Sequence, residues 1–226
     1  MHAQFVLFDG FDPLDVIAPY EVLHAAGGIT GGAVTVELVT AEGAREVPSG
    51  TPPLSLRATG ALDPARADVV VLPGAAGRIP TGDTGEGAGE EEQPDTIPAI
   101  LGRTLETGLP ALLKEALERE DTLVATVCGG SLIPAMAGLL QGRPATTHHL
   151  GMDLLESTGA RPVAARVVDD GDLVTGAAVT SGLDVALHLL EREVGPQVAQ
   201  AVESLFAYER RGGVWSRRDP APASAG

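Results

Sequence analysis

The 226-residue sequence has little cysteine, few basic residues and no long apolar runs. A single cysteine excludes a disulfide framework within the chain, so we expect a reducing compartment. The first ten residues, MHAQFVLFDG, lack the basic region and the small-residue cleavage site of a secretory signal, and no apolar run reaches the length of a membrane span. We therefore expect a cytoplasmic protein that makes no contact with a membrane.

The shortage of basic residues also excludes a class of partner. The chain has 15 Lys and Arg against 31 Asp and Glu, which gives a formal net charge of −16. Binding to a phosphate backbone needs a basic face, so nucleic acid is not an expected partner.

The hydrophobic pattern alternates between strand and helix signals along the chain. With 44% hydrophobic residues, 226 residues can bury one full core, so we expect one domain. Strands are predicted at residues 4–8, 34–40, 54–57, 68–72, 123–127, 163–168 and 173–175. Helices are predicted at residues 16–26, 97–105, 109–119, 152–157, 183–193 and 197–208, and a further helix begins after residue 131. This alternation predicts a mostly parallel central sheet that is covered by helices on both faces.

Two segments fall outside this pattern. Residues 81–95 are rich in Gly and Glu, which predicts an acidic surface insertion at about residues 78–95. Its charges are either simply solvated by water, or the insertion is a lid or a metal-binding loop. Residues 211–226 end in DPAPASAG and predict a disordered tail. The predicted domain thus spans residues 1–210.

The segment from Leu123 to Leu140 holds the only cysteine at the junction of a strand and a helix. An apolar, β-branched run leads to Cys128, and Gly129 and Gly130 permit a tight turn into an apolar helix that Ser131 would cap. At such an elbow the helix N-terminus lowers a thiol pKa and favours a nucleophile. The alternative is a small buried hydrophobic residue, which is the usual role of a lone cysteine.

Four sequence blocks, in this order, resemble the DJ-1/PfpI (ThiJ) superfamily, and within it the isonitrile hydratase branch. They are FDGFDPLDVIAPYEVL, VVVLPGAAG, LVATVCGGSLIPAMAGLLQGRPATTHH and LVTGAAVTSGLDVALHLLE. The resemblance covers most of residues 4–208 and is most specific between Cys128 and His148. It implies a flavodoxin-like three-layer α/β/α sandwich with a cysteine nucleophile elbow, a homodimer, and no cofactor.

The resemblance also implies a reaction and the residues that perform it. Asp15 is the acidic residue expected beside Cys128; without the resemblance it is a helix N-terminal acid that interacts with the helix dipole. The implied enzyme is a lyase that adds water to an isonitrile through a thioimidate on Cys128, with Asp15 as acid and base. The implied substrate-binding groups include Gly74 and the backbone N–H groups of Ala75 and Gly129, which would stabilise an anion.

Three positions depart from the pattern of that branch, and two histidines lie near them. Gly129 stands where the branch has threonine, Gly74-Ala75 replaces a Gly-Gly pair, and His149 replaces a tryptophan. His148 is either a partner of the cysteine, as in some protease-like relatives, or a lining residue, and His149 is expected to line the site. A metal site is not expected, because two adjacent side chains rarely chelate one ion and no third ligand is suggested.

Other functions fit the same residues. A DJ-1-like stress protein would use Cys128 as a target of reversible oxidation to sulfenic acid, or as the nucleophile of a glyoxalase, deglycase, amidase or peptidase. The sensing domain of a transcription regulator is a more remote alternative, which the acidity of the chain disfavours.

Overall fold

The computed structural model describes residues 1–79 and 95–217, and its centre is a mostly parallel sheet that lies between two groups of helices. The strands are β1 (His2–Val6), β2 (Thr35–Thr40), β3 (Arg45–Pro48), β4 (Ser55–Ala58), β5 (Gly60–Ala61), β6 (Val69–Leu72), β7 (Leu123–Thr126), β8 (Pro144–Ala145), β9 (Arg161–Pro162), β10 (Val167–Asp169), β11 (Leu173–Gly176) and β12 (Val214–Ser216). The helices are α1 (Pro13–Ile29), α2 (Ile97–Thr104), α3 (Leu109–Glu118), α4 (Leu132–Met136), α5 (Met152–Ser157), α6 (Ser181–Glu193) and α7 (Pro196–Phe206).

The main sheet has eight strands in the order β12-β10-β11-β7-β6-β1-β2-β5. All its neighbouring strands are parallel except β10 and β11, which form an antiparallel hairpin. The order β2-β1-β6-β7-β11 is that of a flavodoxin-like sheet, in which ligands bind beyond the carboxyl ends of the strands where the order reverses. The predicted fold class is confirmed, and its topology points to the ends of β1, β6 and β7.

The central strands form because their side chains are apolar on both faces of the sheet. Every residue of β6 and β7 is buried, as a strand covered by helices on both sides requires. Helices α1, α6 and α7 contact one another, and α4 contacts α2, α3 and α5, so the sheet has two separate helical layers. The mostly parallel sheet and these layers together form the predicted three-layer sandwich.

Helix α1 carries Asp15 and begins at a well-defined cap. The Asp12 side chain accepts a hydrogen bond from Leu14 N, and Pro13 occupies the first turn, where its missing N–H costs nothing. The helix was predicted over residues 16–26, and its predicted end is wrong, because it continues through Gly27 and Gly28 to Ile29. A Cβ at Gly27 would lie 2.5 Å from Val34 O, so this glycine permits a close approach of the chain and does not end the helix.

The predicted disordered tail needs a correction at its start. Residues 214–216 form β12, which pairs in parallel with β10 and places Trp215 beside Val168. The open edge of β10 offers backbone groups that a short segment satisfies, although three residues are too few to show a strand period. Residues 218–226 lie outside the described part of the chain, as do residues 80–94 of the predicted acidic insertion.

No helix in the described residues is both long enough and apolar enough to span a membrane.

Candidate functional site

The predicted elbow is present at the carboxyl end of β7. Cys128 has a φ of 55°, which is the left-handed region that a side chain other than glycine adopts only under constraint, at a cost of about 1–3 kcal/mol. Residues 128–131 form one 3₁₀ turn that leads directly into α4. Gly130 is required here, because a Cβ at this position would lie 2.5 Å from Leu72 O.

The helix after the elbow differs from the expectation. Helix α4 has only five residues, and Ser131 makes no side-chain capping hydrogen bond. A short helix contributes little of the macrodipole that was expected to stabilise a thiolate. The elbow therefore positions the thiol without providing the anion-stabilising field that the sequence pattern suggested.

Asp15 is fully buried beside the thiol. Its Oδ2 accepts a hydrogen bond from Gly74 N at 2.8 Å, and its carboxyl group is also hydrogen-bonded to the side chain of Cys128. Burial, and secondarily the charge of Asp12, raise the pKa of Asp15 to about 8. At neutral pH the carboxyl group is therefore predominantly protonated, which is the state that a general acid requires.

The expected low pKa of the thiol is wrong. Burial raises the pKa of Cys128 above its ordinary value, and a negative charge on Asp15 raises it further. The Gly129 N–H, directed at the sulfur, opposes this rise but does not overcome it. The site at neutral pH is thus a neutral pair, a thiol beside a carboxylic acid.

The backbone groups around this pair have separate roles. Gly74 was expected among the substrate-binding residues, and its N–H is already donated to Asp15. A Cβ at Gly74 would lie 2.7 Å from Gly129 N, so the absence of a side chain lets the two loops meet. Among the described residues no acceptor is assigned to the Ala75 N–H, while its neighbour Ala76 donates to Gly10 O. Ala75 is thus a backbone donor available to a bound anion, whereas the N–H of Gly129, the other predicted donor, is directed at the sulfur of Cys128.

His148 and His149 lie in the segment that follows β8. Their ring centroids lie 4.1 Å apart, and burial together with His149 lowers the pKa of His148. His148 Nδ1 accepts a hydrogen bond from Leu150 N, so this nitrogen is already occupied. Within residues 1–79 and 95–217, no hydrogen bond joins either histidine to Cys128 or Asp15. The geometry favours a lining role over a Cys-His pair.

Thr147 contacts the elbow, although no sequence pattern singled this residue out. It is 1% exposed, and its Oγ1 donates a hydrogen bond to Cys128 O at 3.0 Å. The two residues are 19 positions apart in the chain, so no local pattern could reveal the contact.

Two cavities of the described chain lie away from this pair. One of about 550 Å³ is lined by Met1, Asp68 and Arg192 among others, at the start of β6 and β7 and thus at the opposite edge of the sheet. It contains no predicted site residue. Nor does the described chain contain a group of three or more His, Cys, Asp or Glu residues that could hold a metal ion. The strained cysteine and its buried acid, which lie together, locate the candidate site.

Comparisons with known proteins identify relatives of this chain. Residues 103–192 match the DJ-1/PfpI family. A relative named isonitrile hydratase, from Pseudomonas putida, is 36% identical over 205 residues, which is 90% of this chain and 77% of that protein. The chain belongs to the DJ-1/PfpI family. The family assignment expected from the four sequence blocks is confirmed.

Solved structures of DJ-1/PfpI proteins share the fold. A ThiJ/PfpI family protein from Pseudomonas syringae has a TM-score of 0.71 and 23% identity, with 100% of this chain and 78% of that chain covered. DJ-1 from Schizosaccharomyces pombe has a TM-score of 0.70 and 16% identity, with 92% of this chain and 100% of that chain covered. At these identities the likeness establishes the flavodoxin-like fold.

Proposed function

We propose that this DJ-1/PfpI protein is an isonitrile hydratase, a lyase that adds water to an isonitrile and gives an N-substituted formamide. The observation that carries the proposal is the buried pair of Cys128 and Asp15, in which the pKa of the acid is raised to about 8. An isonitrile carbon accepts a nucleophile only if a proton reaches that same carbon. A neutral carboxylic acid beside a thiol supplies both requirements, and the relative named isonitrile hydratase supports the choice of substrate.

The first step uses the pair without a free thiolate. Asp15 donates its proton to the isonitrile carbon while the sulfur of Cys128 attacks that carbon, and the carboxylate formed on Asp15 takes the thiol proton. One C–H and one C–S bond form, and the S–H bond breaks. The product is a thioimidate on Cys128, and Asp15 has recovered its proton. A raised thiol pKa is compatible with this step, because the thiol loses its proton only as Asp15 becomes basic.

The second step releases the product. Asp15 gives its proton to the thioimidate nitrogen, and the carboxylate so formed takes a proton from a water molecule as that water adds to the thioimidate carbon. Negative charge that develops on the added oxygen would be stabilised by the N–H groups of Ala75 and Gly129. Collapse of this adduct breaks the C–S bond: Asp15 gives its proton to the departing sulfur and takes the O–H proton of the adduct, and the formamide leaves. The sum of both steps is an isonitrile plus water giving a formamide.

The oxidation-sensor alternative needs a different thiol. Oxidation to sulfenic acid proceeds through the thiolate, and sensor cysteines have a low pKa and are accessible to solvent. Cys128 is buried and its pKa is raised. The same environment argues against hydrolases that depend on a preformed thiolate.

Purified protein incubated with a panel of isonitriles tests the proposal, with methylglyoxal, amides and peptides as competing substrates. Formamide production by the wild type should disappear in Cys128→Ala. Asp15→Asn should retain the fold and lose about 10²- to 10⁴-fold in rate, because an amide does not shuttle protons at neutral pH. Asp15→Glu keeps the proton but misplaces it, so intermediate activity is expected. No turnover of any isonitrile, together with rapid reversible peroxide oxidation of Cys128, would replace this proposal with the sensor function.

The active unit that we propose is a homodimer acting on a small molecule in the cytoplasm, without nucleic acid, membrane, cofactor or metal. Support for the dimer comes from helix α1, where Leu14 is 47% exposed and Ile17 is 36% exposed. Both lie on the same helix as Asp15, the carboxyl group of the candidate site. Large apolar side chains in one exposed patch are typical of an interface between subunits. Light scattering at micromolar concentration should give a mass near twice 23.0 kDa, and a mass near 23.0 kDa would exclude the dimer.

A further inference from the structure

Thr147 is tied to the elbow from a different part of the chain. It lies two residues after β8, and the preceding residue, Thr146, anchors the segment by donating its backbone N–H to Thr175 Oγ1 at 2.8 Å. From this fixed point Thr147 Oγ1 reaches Cys128 O at 3.0 Å, and both residues are buried. Because both groups are buried and the segment before Thr147 is already anchored, this hydrogen bond stabilises the local backbone conformation of Cys128.

The conformation that it fixes is the unfavourable one. With a φ of 55°, Cys128 would relax to a negative φ if nothing opposed it, and its sulfur would then leave Asp15. A bond to the carbonyl of the strained residue itself opposes that rotation.

We propose that Thr147 is a positioning residue, whose hydroxyl holds Cys128 in the left-handed conformation and thereby keeps the sulfur against the Asp15 carboxyl. The inference rests on the proposed nucleophilic role of Cys128 but not on the identity of the substrate. Iodoacetamide is therefore a suitable probe, and Cys128 is the only thiol it can alkylate.

The first measurement is the alkylation rate at pH 8 of Thr147→Val, which keeps the shape of the side chain and removes the hydroxyl. Once the sulfur leaves Asp15, the carboxylate no longer raises the thiol pKa, so alkylation should become roughly threefold to tenfold faster, which corresponds to a pKa change of about half to one unit. Thr147→Ser keeps the hydroxyl and should restore the wild-type rate. Thr146→Val is the matched control, since its contact is made by the backbone and survives the substitution.

The second measurement separates positioning from simple opening of the structure. In an Asp15→Asn background there is no carboxylate for the sulfur to leave, so Thr147→Val should then change the rate little. Equal acceleration in both backgrounds, or a wild-type rate in Thr147→Val alone, would overturn the inference. If Thr147→Val does not fold, Thr147→Ala removes the same hydroxyl without a branched side chain, and the same outcomes decide. Failure of isonitrile turnover with the alkylation pattern intact would reject the hydratase and leave the positioning role standing.

Discussion

Replacing Asp15 with Asn should change how the stability of the protein depends on pH. In the folded protein the carboxyl has a pKa of about 8, against an ordinary value of 3.8. Between these values the folded chain keeps a proton that the unfolded chain has already lost. Raising the pH through this window therefore penalises the folded state of the wild type, whereas Asp15→Asn has no proton to lose.

The magnitude follows from the width of the window. Each pH unit inside it costs about 1.4 kcal/mol, so between pH 5 and pH 7 the wild type should lose about 2 to 3 kcal/mol of unfolding free energy relative to Asp15→Asn. Cys128 does not contribute over this range, because its raised pKa keeps the thiol protonated in the folded state and an ordinary thiol is also protonated below pH 7.

Urea unfolding of both proteins at pH 5, 6 and 7 measures this difference. Asp153→Asn makes the same change at an exposed first-turn position of α5 and controls for the loss of a helix-terminal charge. A constant difference between wild type and Asp15→Asn over the three pH values would show that Asp15 is ionised in the folded protein. The proposed role of Asp15 as a proton donor would then fail.

Three further predictions follow from the same geometry. Alkylation of Cys128 should have a pH midpoint above about 8.5, and Asp15→Asn should lower that midpoint; a wild-type midpoint below 8.5 would contradict the buried pair. Gly74→Ala should abolish isonitrile turnover, because the new methyl would lie 2.9 Å from Asp15 Oδ2, whereas Gly28→Ala, with no atom within 4 Å, should leave turnover unchanged. Asp184→Asn should lower the unfolding free energy, measured by urea unfolding, by about 2 to 4 kcal/mol. The buried Asp184 carboxylate accepts hydrogen bonds from a guanidinium, a phenol and a backbone N–H, and an unchanged value would show that these bonds are dispensable.

Helices and strands that depend on the local sequence were predicted from local patterns. Helix α5 begins and ends where its periodicity indicated, and β6 and β7 were evident as continuous apolar runs. The elbow was also predictable, because Gly129 and Gly130 after an apolar strand permit a tight turn that few other residues could make.

The electrostatics of the site were not predictable in the same way. The low thiol pKa was inferred from a helix N-terminus, which is a local feature. The pKa of Cys128 depends instead on burial and on the charge of Asp15. Asp15 lies 113 positions away in the chain, and only the fold brings it to the cysteine. The contact from Thr147 has the same origin. Patterns along the chain identify which residues can react, but the protonation state of a buried pair is a property of its three-dimensional surroundings.

The short strand β12 decides what the outer edge of the sheet presents to other molecules. The two outermost strands, β12 and β5, have three and two residues, so neither offers a long row of free backbone groups. A chain that ended before Val214 would instead leave β10 at the edge, with Val167 and Val168 in an open strand. Such edges recruit strands from neighbouring molecules, so β12 protects the protein from self-association through this edge of its sheet.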